Sequence, residues 1–339
     1  MKILVTGGAG YIGSVLVREL LKSGHHVVCL DRFFFGKEPL ADVLDSPKLT
    51  LVNDDIRWFE PNILKHVDAV MDLAAISNDP AGELDPNKTI DINFLGRSRV
   101  ARLTKEYGVK RYILASSCSI YGFQDEILDE TSTPRPLTTY AKATRNAEED
   151  IIRIADSDFA VTILRFATVY GLSGRMRFDL AVNAMVLSLF KGPNLPVMRE
   201  GTQWRPFIHI RDATQAYQLA VEKETDKVGG EIINVGSDEQ NFQILSLAKL
   251  VGSSLKVDYN IEWYGTPDSR SYRVSFKKCR DLLGLTPSFS PTDGALEIYN
   301  ALQTGKLKES LKTRTVDWYK YLLECHKVSS DVSLRGTII

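Results

Sequence analysis

The chain has 339 residues, 44% of them hydrophobic and 25% charged, with a formal net charge of −1 at pH 7. This composition is ordinary for a globular protein of one large or two moderate domains, and the near-neutral charge argues against a nucleic-acid or anionic-membrane partner. No apolar run approaches the ~20 residues that a membrane-spanning helix needs. The sequence enters its first strand directly, so we expect no signal peptide.

The four cysteines are widely scattered along the chain, at positions 29, 118, 279 and 325. Their spacing matches no metal-ligand pattern, so we expect no metal site. Free thiols suit a reducing compartment, and the sequence therefore predicts a cytoplasmic protein.

The chain opens with a short apolar strand that runs into a glycine-rich turn and then into a helix. Gly7, Gly10 and Gly13 have the spacing G-x-x-G-x-x-G. Such glycines permit a tight turn and the close approach of a pyrophosphate, while the helix N-terminus offers unpaired N–H groups to phosphate. This stretch predicts a dinucleotide-binding site, with Tyr11 and Ile12 among its contacts.

The acid that this fingerprint requires is Asp31, at the end of the second apolar strand and about 20 residues after the glycines. A carboxylate at this place can hydrogen-bond the adenosine ribose and repels a 2′-phosphate, so we predict NAD rather than NADP as the cofactor. Arg32 is a complication, because an arginine here can hold a 2′-phosphate. The small residues Ala74 and Ala75, past another strand end, suit close passage of the cofactor or simple helix–sheet packing.

Apolar strands and helical stretches alternate over the first half of the chain. The strands fall at 27–30, 49–52, 67–71, 111–115 and 160–164, and the helices at 89–107 and 141–155. Alternation of this kind predicts an α/β fold with a Rossmann-type doubly wound parallel sheet.

Beyond residue 171 the strict alternation weakens, which predicts a second, smaller α/β domain built from several returns of the chain. We expect the NAD-binding domain at 1–171 plus about 206–236, and the substrate domain at about 172–205 plus 237–315. A C-terminal helix and tail are expected over 316–339.

Several further motifs carry a family resemblance. They are Asp55-Ile56, Leu73-Ala74-Ala75, Asn93, Ser116-Ser117 before Tyr121-Gly122, Tyr140, Arg165, and the stretch from Arg205 to Asp212. With the glycine turn and Asp31, they make the chain resemble the extended short-chain dehydrogenase/reductases of the NAD-dependent epimerase/dehydratase group, the relatives of UDP-galactose 4-epimerase. The resemblance covers nearly the whole chain. It implies a nucleotide-sugar substrate and a homodimer, and it adds these cofactor contacts: Asp55, Ile56, Leu73, Asn93 and Tyr140.

In that family a tyrosinate removes a proton from a sugar hydroxyl while hydride leaves the same carbon for the nicotinamide. A serine or threonine hydrogen-bonds the same oxygen. The resemblance makes Tyr140 the base and Ser117 its partner. The base needs a lowered pKa, because a phenol with a pKa near 10 stays protonated at pH 7. Ser119 shares the face of Ser117 on the strand, and could contact the sugar or merely pack.

The family pattern Tyr-x-x-x-Lys is broken here, because the fourth residue after Tyr140 is Thr144. The missing lysine would hold the nicotinamide ribose and lower the pKa of the tyrosine. On an ideal helix Lys142 and Arg145 point to other faces, although the long Arg145 side chain could reach around. Three interpretations stay open: an inactivating change, a neighbouring cation that substitutes, or a protein that binds without catalysing. We predict that Thr144→Lys raises turnover at least about tenfold, and unchanged turnover would count against this interpretation.

The residues after Ser117 help to choose a reaction. Related sugar 4,6-dehydratases carry Asp-Glu directly after the catalytic threonine, whereas Cys118 and Ser119 stand there in this chain. Neither is a carboxylate, so we disfavour 4,6-dehydration. The sequence favours an NAD-dependent nucleotide-sugar epimerase that works by transient 4-keto oxidation and re-reduction. An NDP-sugar 4-dehydrogenase and a catalytically weakened NAD- and sugar-binding protein are the alternatives.

The second domain is expected to hold the diphosphate of the substrate with arginines, whose fork of donors suits phosphate. By resemblance Arg205 is the first candidate and Arg270 the second. Thr168 stands where epimerases often place a phosphate-binding asparagine. His209 lies between two isoleucines of a strand and is expected to be structural. Further expected contacts to the sugar or base are Arg175, Arg177, Asp179 and Asn183.

Overall fold

A computed structural model describes residues 1–268, 270–334 and 337. The strands are β1 (Lys2–Thr6), β2 (His26–Asp31), β3 (Leu49–Asn53), β4 (Ala69–Asp72), β5 (Arg111–Ser117), β6 (Phe123–Leu128), β7 (Ala160–Phe166), β8 (Thr168–Tyr170), β9 (Asn194–Met198), β10 (Trp204–His209), β11 (Ile232–Val235), β12 (Asn241–Gln243), β13 (Asn260–Tyr264) and β14 (Ser271–Val274). The α-helices are α1 (Tyr11–Lys22), α2 (Asp79–Gly82), α3 (Pro86–Ile90), α4 (Arg97–Glu106), α5 (Thr139–Ile152), α6 (Ala181–Lys191), α7 (Ile210–Glu222), α8 (Thr225–Val228), α9 (Ile244–Leu255), α10 (Pro291–Gln303) and α11 (Thr315–Val332). The predicted C-terminal tail falls partly on residues 335, 336, 338 and 339, which lie outside the described residues.

Seven strands form one parallel sheet in the order β11-β7-β5-β4-β1-β2-β3. Successive strands run outward from β1 to β3 and then outward on the other side from β4 to β11. This confirms the predicted Rossmann-type α/β fold. The change of direction leaves a crevice outside the carboxyl ends of β1 and β4, which is where ligands of such sheets bind.

Helices cover both faces of this sheet, because side chains alternate between the two faces along each strand. Ile3 and Val5 of β1 belong to a core shared with α1 and α7, whereas Leu4 belongs to a second core shared with α4 and α5. All three side chains are fully buried. The two cores hold the carboxyl ends of the strands, and hence the crevice, in a fixed place.

A buried ion pair anchors α5 against the sheet near the crevice. Glu148 of α5 accepts hydrogen bonds from Arg165 of β7 at 2.9 and 2.8 Å, and from the Ser116 hydroxyl of β5 at 2.5 Å. The side chains of Glu148 and Arg165 are 0% and 2% exposed. Since a buried charge needs a partner, this pair fixes how the first turn of α5, which carries Tyr140, sits beside β5.

Three small sheets lie beyond the crevice, with the orders β12-β10-β8, β13-β9 and β14-β6. Strand β9 packs on α6 and α9, and α10 packs on both of these helices. Most of these elements fall in the stretches expected to bind substrate. The division into two domains at the predicted boundaries stays a prediction.

Helix α11 packs beside the loop that follows β2. The indole nitrogen of Trp318 donates to the carbonyl of Phe34 at 2.8 Å, and the rings of Tyr319 and Phe35 have centroids 5.6 Å apart. The C-terminal helix thereby covers the crevice at the end of β2. Within the described ranges, no helix has both the length and the apolar composition to cross a lipid bilayer.

Candidate active site

A cavity of about 590 Å³ occupies the crevice at the carboxyl ends of the parallel strands. The predicted cofactor contacts that line it are Gly7, Gly10, Tyr11, Ile12, Gly13, Asp31, Arg32, Asp55, Ile56, Leu73, Ala74, Ala75 and Tyr140. The predicted substrate contacts that line it are Ser117, Ser119, Thr168, Arg175, Arg177, Asp179, Arg205 and Arg270. One cavity therefore brings both predicted sets together.

The glycine turn has the geometry of a phosphate cradle. Gly7 has φ +68°, a left-handed conformation that favours glycine. A Cβ on Gly13 would lie only 2.2 Å from the carbonyl oxygen of Gly7, so strand and helix approach too closely for any side chain. Gly10 gives α1 no side-chain cap, which leaves first-turn N–H groups free for an anion. These features fit the pyrophosphate of NAD.

Asp31 is locked to the glycine turn at the end of β2. Its carboxylate accepts the N–H of Ala9 at 2.9 Å and the N–H of Phe33 at 2.7 Å. Burial raises the pKa of Asp31, while these backbone donors act to lower it. The carboxylate is thus held beside the cradle, at the place where the ribose hydroxyls of a dinucleotide lie in this fold.

Ser117 ends β5 and faces the cavity. Its hydroxyl accepts the N–H of Ser119 at 3.1 Å. The Ser119 hydroxyl is itself buried and has no hydrogen-bond partner among the described residues. An unpaired buried hydroxyl is costly, so a ligand oxygen at this point of the cavity would gain a ready partner.

Tyr140 stands beside Ser117, in the first turn of α5. Burial raises the pKa of Tyr140, and the nearby Asp79 carboxylate raises it further. The Ser117 hydroxyl and the guanidinium groups of Arg97 and Arg177 act in the opposite direction. The readiness of this phenol to lose its proton therefore depends on the cations around it.

The arginines predicted to bind substrate form one cluster around Asp268. Arg205 donates to Asp268 at 2.9 Å, and Arg270 donates to the two oxygens of Asp268 at 2.9 and 2.7 Å. Arg270 also pairs with Asp79. Burial acts to raise the pKa of Asp268, but Arg270 and Arg205 lower it overall. The cluster places two guanidinium groups on the side of the cavity formed by β10 and β14.

Arg177 and Asp179 brace the loop that follows β4. Arg177 donates to Asp179 at 2.5 and 3.2 Å and to the Ser77 hydroxyl at 3.1 Å. Asp179 in turn accepts the Asn78 amide at 2.8 Å. Both line the cavity, although their hydrogen bonds are largely taken up within the protein.

Asn93 and Asn183, two further predicted contacts, lie behind the cavity wall. The Asn93 amide accepts the N–H of Ile76 at 2.8 Å and donates to its carbonyl at 2.9 Å. Asn183 donates to the Tyr11 hydroxyl at 3.0 Å and accepts the N–H of Gly171 at 3.1 Å. Neither asparagine is among the residues that line the cavity, and their contacts with cofactor and substrate stay predictions.

Several residues that line the cavity were not predicted from the sequence. They are Phe35, Asp79, Arg97, Tyr272 and Tyr319. Asp79 follows the recognised Leu73-Ala74-Ala75 stretch closely enough to have been a candidate. Tyr319 carries no local sequence signal, because it reaches the cavity only through the docking of α11.

Arg175, which was predicted from the sequence, packs its guanidinium 3.6 Å from the centroid of the Phe35 ring. Burial lowers the pKa of Arg175 to about 10.

A comparison with known protein families identifies the family of this chain. The model of the NAD dependent epimerase/dehydratase family matches residues 3–236, more than half of the chain. The chain belongs to this family. It is therefore an enzyme, and NAD is its cofactor.

Relatives within the family share most of their length with this chain. UDP-glucose 4-epimerase of Lactobacillus helveticus is 29% identical over 319 residues, covering 87% of this chain and 95% of that relative. UDP-N-acetyl-alpha-D-glucosaminuronate decarboxylase of Bacillus cytotoxicus is 30% identical over 314 residues, covering 87% and 96%. The structure of UDP-glucuronic acid 4-epimerase from Bacillus cereus in complex with UDP-glucuronic acid and NAD is 26% identical, with a TM-score of 0.81 and coverage of 90% and 99%. The names of these relatives give different reactions, but each names a UDP-sugar.

The structure also shows what stands at the position of the family lysine. Thr144 lies one turn after Tyr140, is buried, and has a hydroxyl without a hydrogen-bond partner among the described residues. Arg145 pairs with Glu148 at 2.9 Å and with Glu149 at 2.8 Å, and Lys142 is exposed. Neither of these two cations lines the cavity.

Proposed function

We propose that this enzyme is an NAD-dependent nucleotide-sugar 4-epimerase. The observation that carries the proposal is that Tyr140 and Ser117 face the same cavity as the glycine cradle, with no carboxylate at the two positions after Ser117. This arrangement supports removal and return of one hydride at one sugar carbon.

In this proposal Tyr140, as phenolate, takes the proton of the sugar 4-hydroxyl while the C4–H bond breaks. The turn with Gly7, Gly10 and Gly13, together with Asp31, would hold NAD, which would supply a reversible hydride acceptor for C4. Ser117 hydrogen-bonds the C4 oxygen as it becomes a carbonyl. After the 4-ketone turns over, Tyr140 gives its proton back to the C4 oxygen, so that only the configuration at C4 has changed. General acid–base catalysis of this kind contributes about 10²–10⁴-fold to rate.

The site offers no acid–base pair for dehydration at the position where dehydratases carry one. The Cys118 thiol is fully buried, lies outside the cavity lining and donates to the carbonyl of Arg165 at 3.3 Å. Burial raises the pKa of Cys118 far above neutrality. Ser119 has only a hydroxyl, which suits binding of a sugar oxygen and not abstraction of a C5 proton.

The cluster of Arg205 and Arg270 supports a substrate that the enzyme binds through a nucleotide diphosphate. Guanidinium groups form paired, charge-assisted hydrogen bonds with phosphate oxygens. The two arginines line the same cavity as the cradle and Tyr140, so cofactor and substrate would meet within it. The UDP-sugars named in the relatives make a UDP-hexose or UDP-hexuronate the first choice.

The test is a product analysis of the NAD-loaded enzyme with UDP-, dTDP-, GDP- and CDP-sugars, read by NMR. The proposal expects inversion at C4 for at least one of them, without net NADH. Accumulation of NADH with a 4-keto product would instead identify a 4-dehydrogenase. Tight binding of NAD and nucleotide sugar without any product would identify a protein weakened at Thr144.

We also propose that the enzyme is a homodimer through the helical stretch around α4 and α5. Two large apolar side chains, Ile90 and Leu95, are 40% and 51% exposed directly before α4. A second copy that covers this surface would remove them from water. Light scattering at micromolar concentration is expected to give twice the 38.0 kDa chain mass, and a monomer would refute the proposal.

A further inference from the structure

We propose that Arg97, on helix α4, takes the place of the lysine that is missing from α5 and supports the phenolate form of Tyr140. The inference rests on the proposed function, because it gives Arg97 a task in the proton transfer that Tyr140 performs. It makes Arg97 a positioning residue that acts through Tyr140. It also explains how a family member can carry threonine at position 144.

The guanidinium of Arg97 is buried and still borders the cavity. Its side chain is 2% exposed and belongs to the cavity lining. Nη2 donates to the carbonyl of Asp72 at 3.0 Å and also to the carbonyl of Ala115. Nη1 has no hydrogen bond to any described residue, and Nε is buried without one. Arginine is rarely buried without full pairing, so the spare donors point to a function on the cavity side.

The acid beside Arg97 has other partners. Asp72 accepts the Thr6 hydroxyl at 2.5 Å and the Tyr112 hydroxyl, while Nε of Arg97 lies 3.5 Å away without hydrogen-bond geometry. Asp72 does not line the cavity, whereas Arg97 does. The guanidinium of Arg97 therefore borders the cavity, whereas the carboxylate of Asp72 is bound by the hydroxyls of Thr6 and Tyr112 in the protein interior.

The backbone contact of Arg97 ties its guanidinium to β5, the strand that carries Ser117. Ala115, which receives a hydrogen bond from Nη2, lies two residues before Ser117 on β5 and also lines the cavity. The charge of Arg97 is among those that lower the pKa of Tyr140. The other guanidinium that acts on Tyr140, that of Arg177, is engaged by Asp179. On α5 itself, Thr144 brings no charge.

The test measures the ionisation of Tyr140 directly, in the NAD-saturated enzyme. Phenolate absorbance is titrated in the wild type and in Arg97→Met, each minus the matching Tyr140→Phe form, so that the other tyrosines cancel. We expect the pKa of Tyr140 to rise by about one unit or more in Arg97→Met, which is a tenfold lower phenolate fraction at neutral pH. Arg102→Met, which removes an exposed arginine of the same helix, is the control and is expected to titrate like wild type.

The double variant Arg97→Met/Thr144→Lys supplies the rescue. A cation returned to the family position is expected to bring the pKa of Tyr140 back toward the wild-type value, and the acid limb of the kcat/KM profile with it. Thr144→Lys alone is expected to raise turnover by less than the tenfold predicted from the sequence, because in this inference Arg97 already provides the charge. A folded, NAD-binding Arg97→Met enzyme with an unchanged Tyr140 titration would overturn the inference.

Loss of Arg97 could unfold the protein by leaving Asp72 without a cation. In that case Asp72→Asn/Arg97→Met removes both members of the pair, and the same rise in the pKa of Tyr140 is expected. Failure of the inference and failure of the proposed function can be told apart, because the titration needs no sugar substrate. A shifted pKa without epimerase activity refutes only the proposed reaction, while epimerase activity with an unshifted pKa refutes only the role of Arg97.

Discussion

The guanidinium of Arg32 lies 2.9 Å from a carboxylate oxygen of Asp55. Arg57 donates to the same carboxylate at 2.9 Å. Burial acts to raise the pKa of Asp55, but hydrogen bonds from the two arginines lower it overall. The arginine that could have held a 2′-phosphate is therefore engaged by an acid, and Asp31 beside it is left to face the ribose.

This pairing predicts a strong preference for NAD over NADP. We expect NAD to bind at least about tenfold more tightly, a difference of about 1.4 kcal/mol. Asp55→Asn should release Arg32 and narrow the preference, because a neutral amide no longer competes with a 2′-phosphate for the guanidinium. Isothermal titration with both dinucleotides measures this, with exposed Asp45→Asn as the control. Equal binding of the two by the wild type would contradict the assignment of Asp31.

Tyr140→Phe removes the proposed base without disturbing the shape of the site. We expect turnover to fall about 10²–10⁴-fold with NAD affinity nearly unchanged. Because burial raises the pKa of Tyr140, kcat/KM of the wild type should rise with pH as the phenolate forms. That rise should vanish in Tyr140→Phe and persist in Tyr107→Phe, which alters an exposed tyrosine. A pH profile that keeps its limb in Tyr140→Phe would assign the proton transfer to another group.

Arg205→Gln tests the substrate side of the cavity. A charge-assisted hydrogen bond to phosphate is worth about 1.5–3 kcal/mol, so KM for the nucleotide sugar should rise about 10–100-fold while NAD affinity stays constant. Arg273→Gln changes a neighbouring arginine that stacks on Trp204 and lies outside the cavity lining. Steady-state kinetics of both variants are expected to show the raised KM in Arg205→Gln and not in Arg273→Gln. A fall in kcat with unchanged KM would remove Arg205 from the diphosphate site.

Glu148→Gln tests the buried anchor of α5. Breaking a buried pair leaves the Arg165 charge uncompensated, which typically costs about 3–5 kcal/mol in the free energy of unfolding. The neighbouring Glu149 pairs with Arg145 and is 44% exposed, so Glu149→Gln should cost less than about 1 kcal/mol. Urea unfolding of both variants measures the contrast. Equal losses would show that the buried pair does not hold the helix in place.

The sequence predicted the parts of this site that are local. The glycine turn, the acid at the end of β2 and the serine at the end of β5 lie where their motifs place them, because each motif belongs to one strand and its following turn. Strand β6 is not among the strands predicted from the sequence, and it pairs with β14, which lies more than a hundred residues later in the chain. Pairing over such a distance leaves no local periodicity to detect.

The hydrogen-bond partners and burial of polar side chains were the other features that could not be predicted from the sequence. Asn93 and Asn183 were expected to contact ligands, yet their amides form hydrogen bonds with backbone groups and a tyrosine hydroxyl. Arg97 begins a helix of mixed charge and looks solvent-exposed from its neighbours in sequence. Only its hydrogen bonds to β4 and β5 and its place in the cavity lining show that Arg97 is buried at the site.

The most direct test of the central claim is the fate of the hydrogen at C4. A UDP-sugar that carries deuterium at C4 is incubated with the NAD-loaded enzyme in ordinary water, and the product is analysed by NMR and mass spectrometry. The account predicts a C4-inverted product that keeps its deuterium, because hydride leaves and returns to the same carbon. Loss of the label, or incorporation of solvent hydrogen at C5, would contradict it.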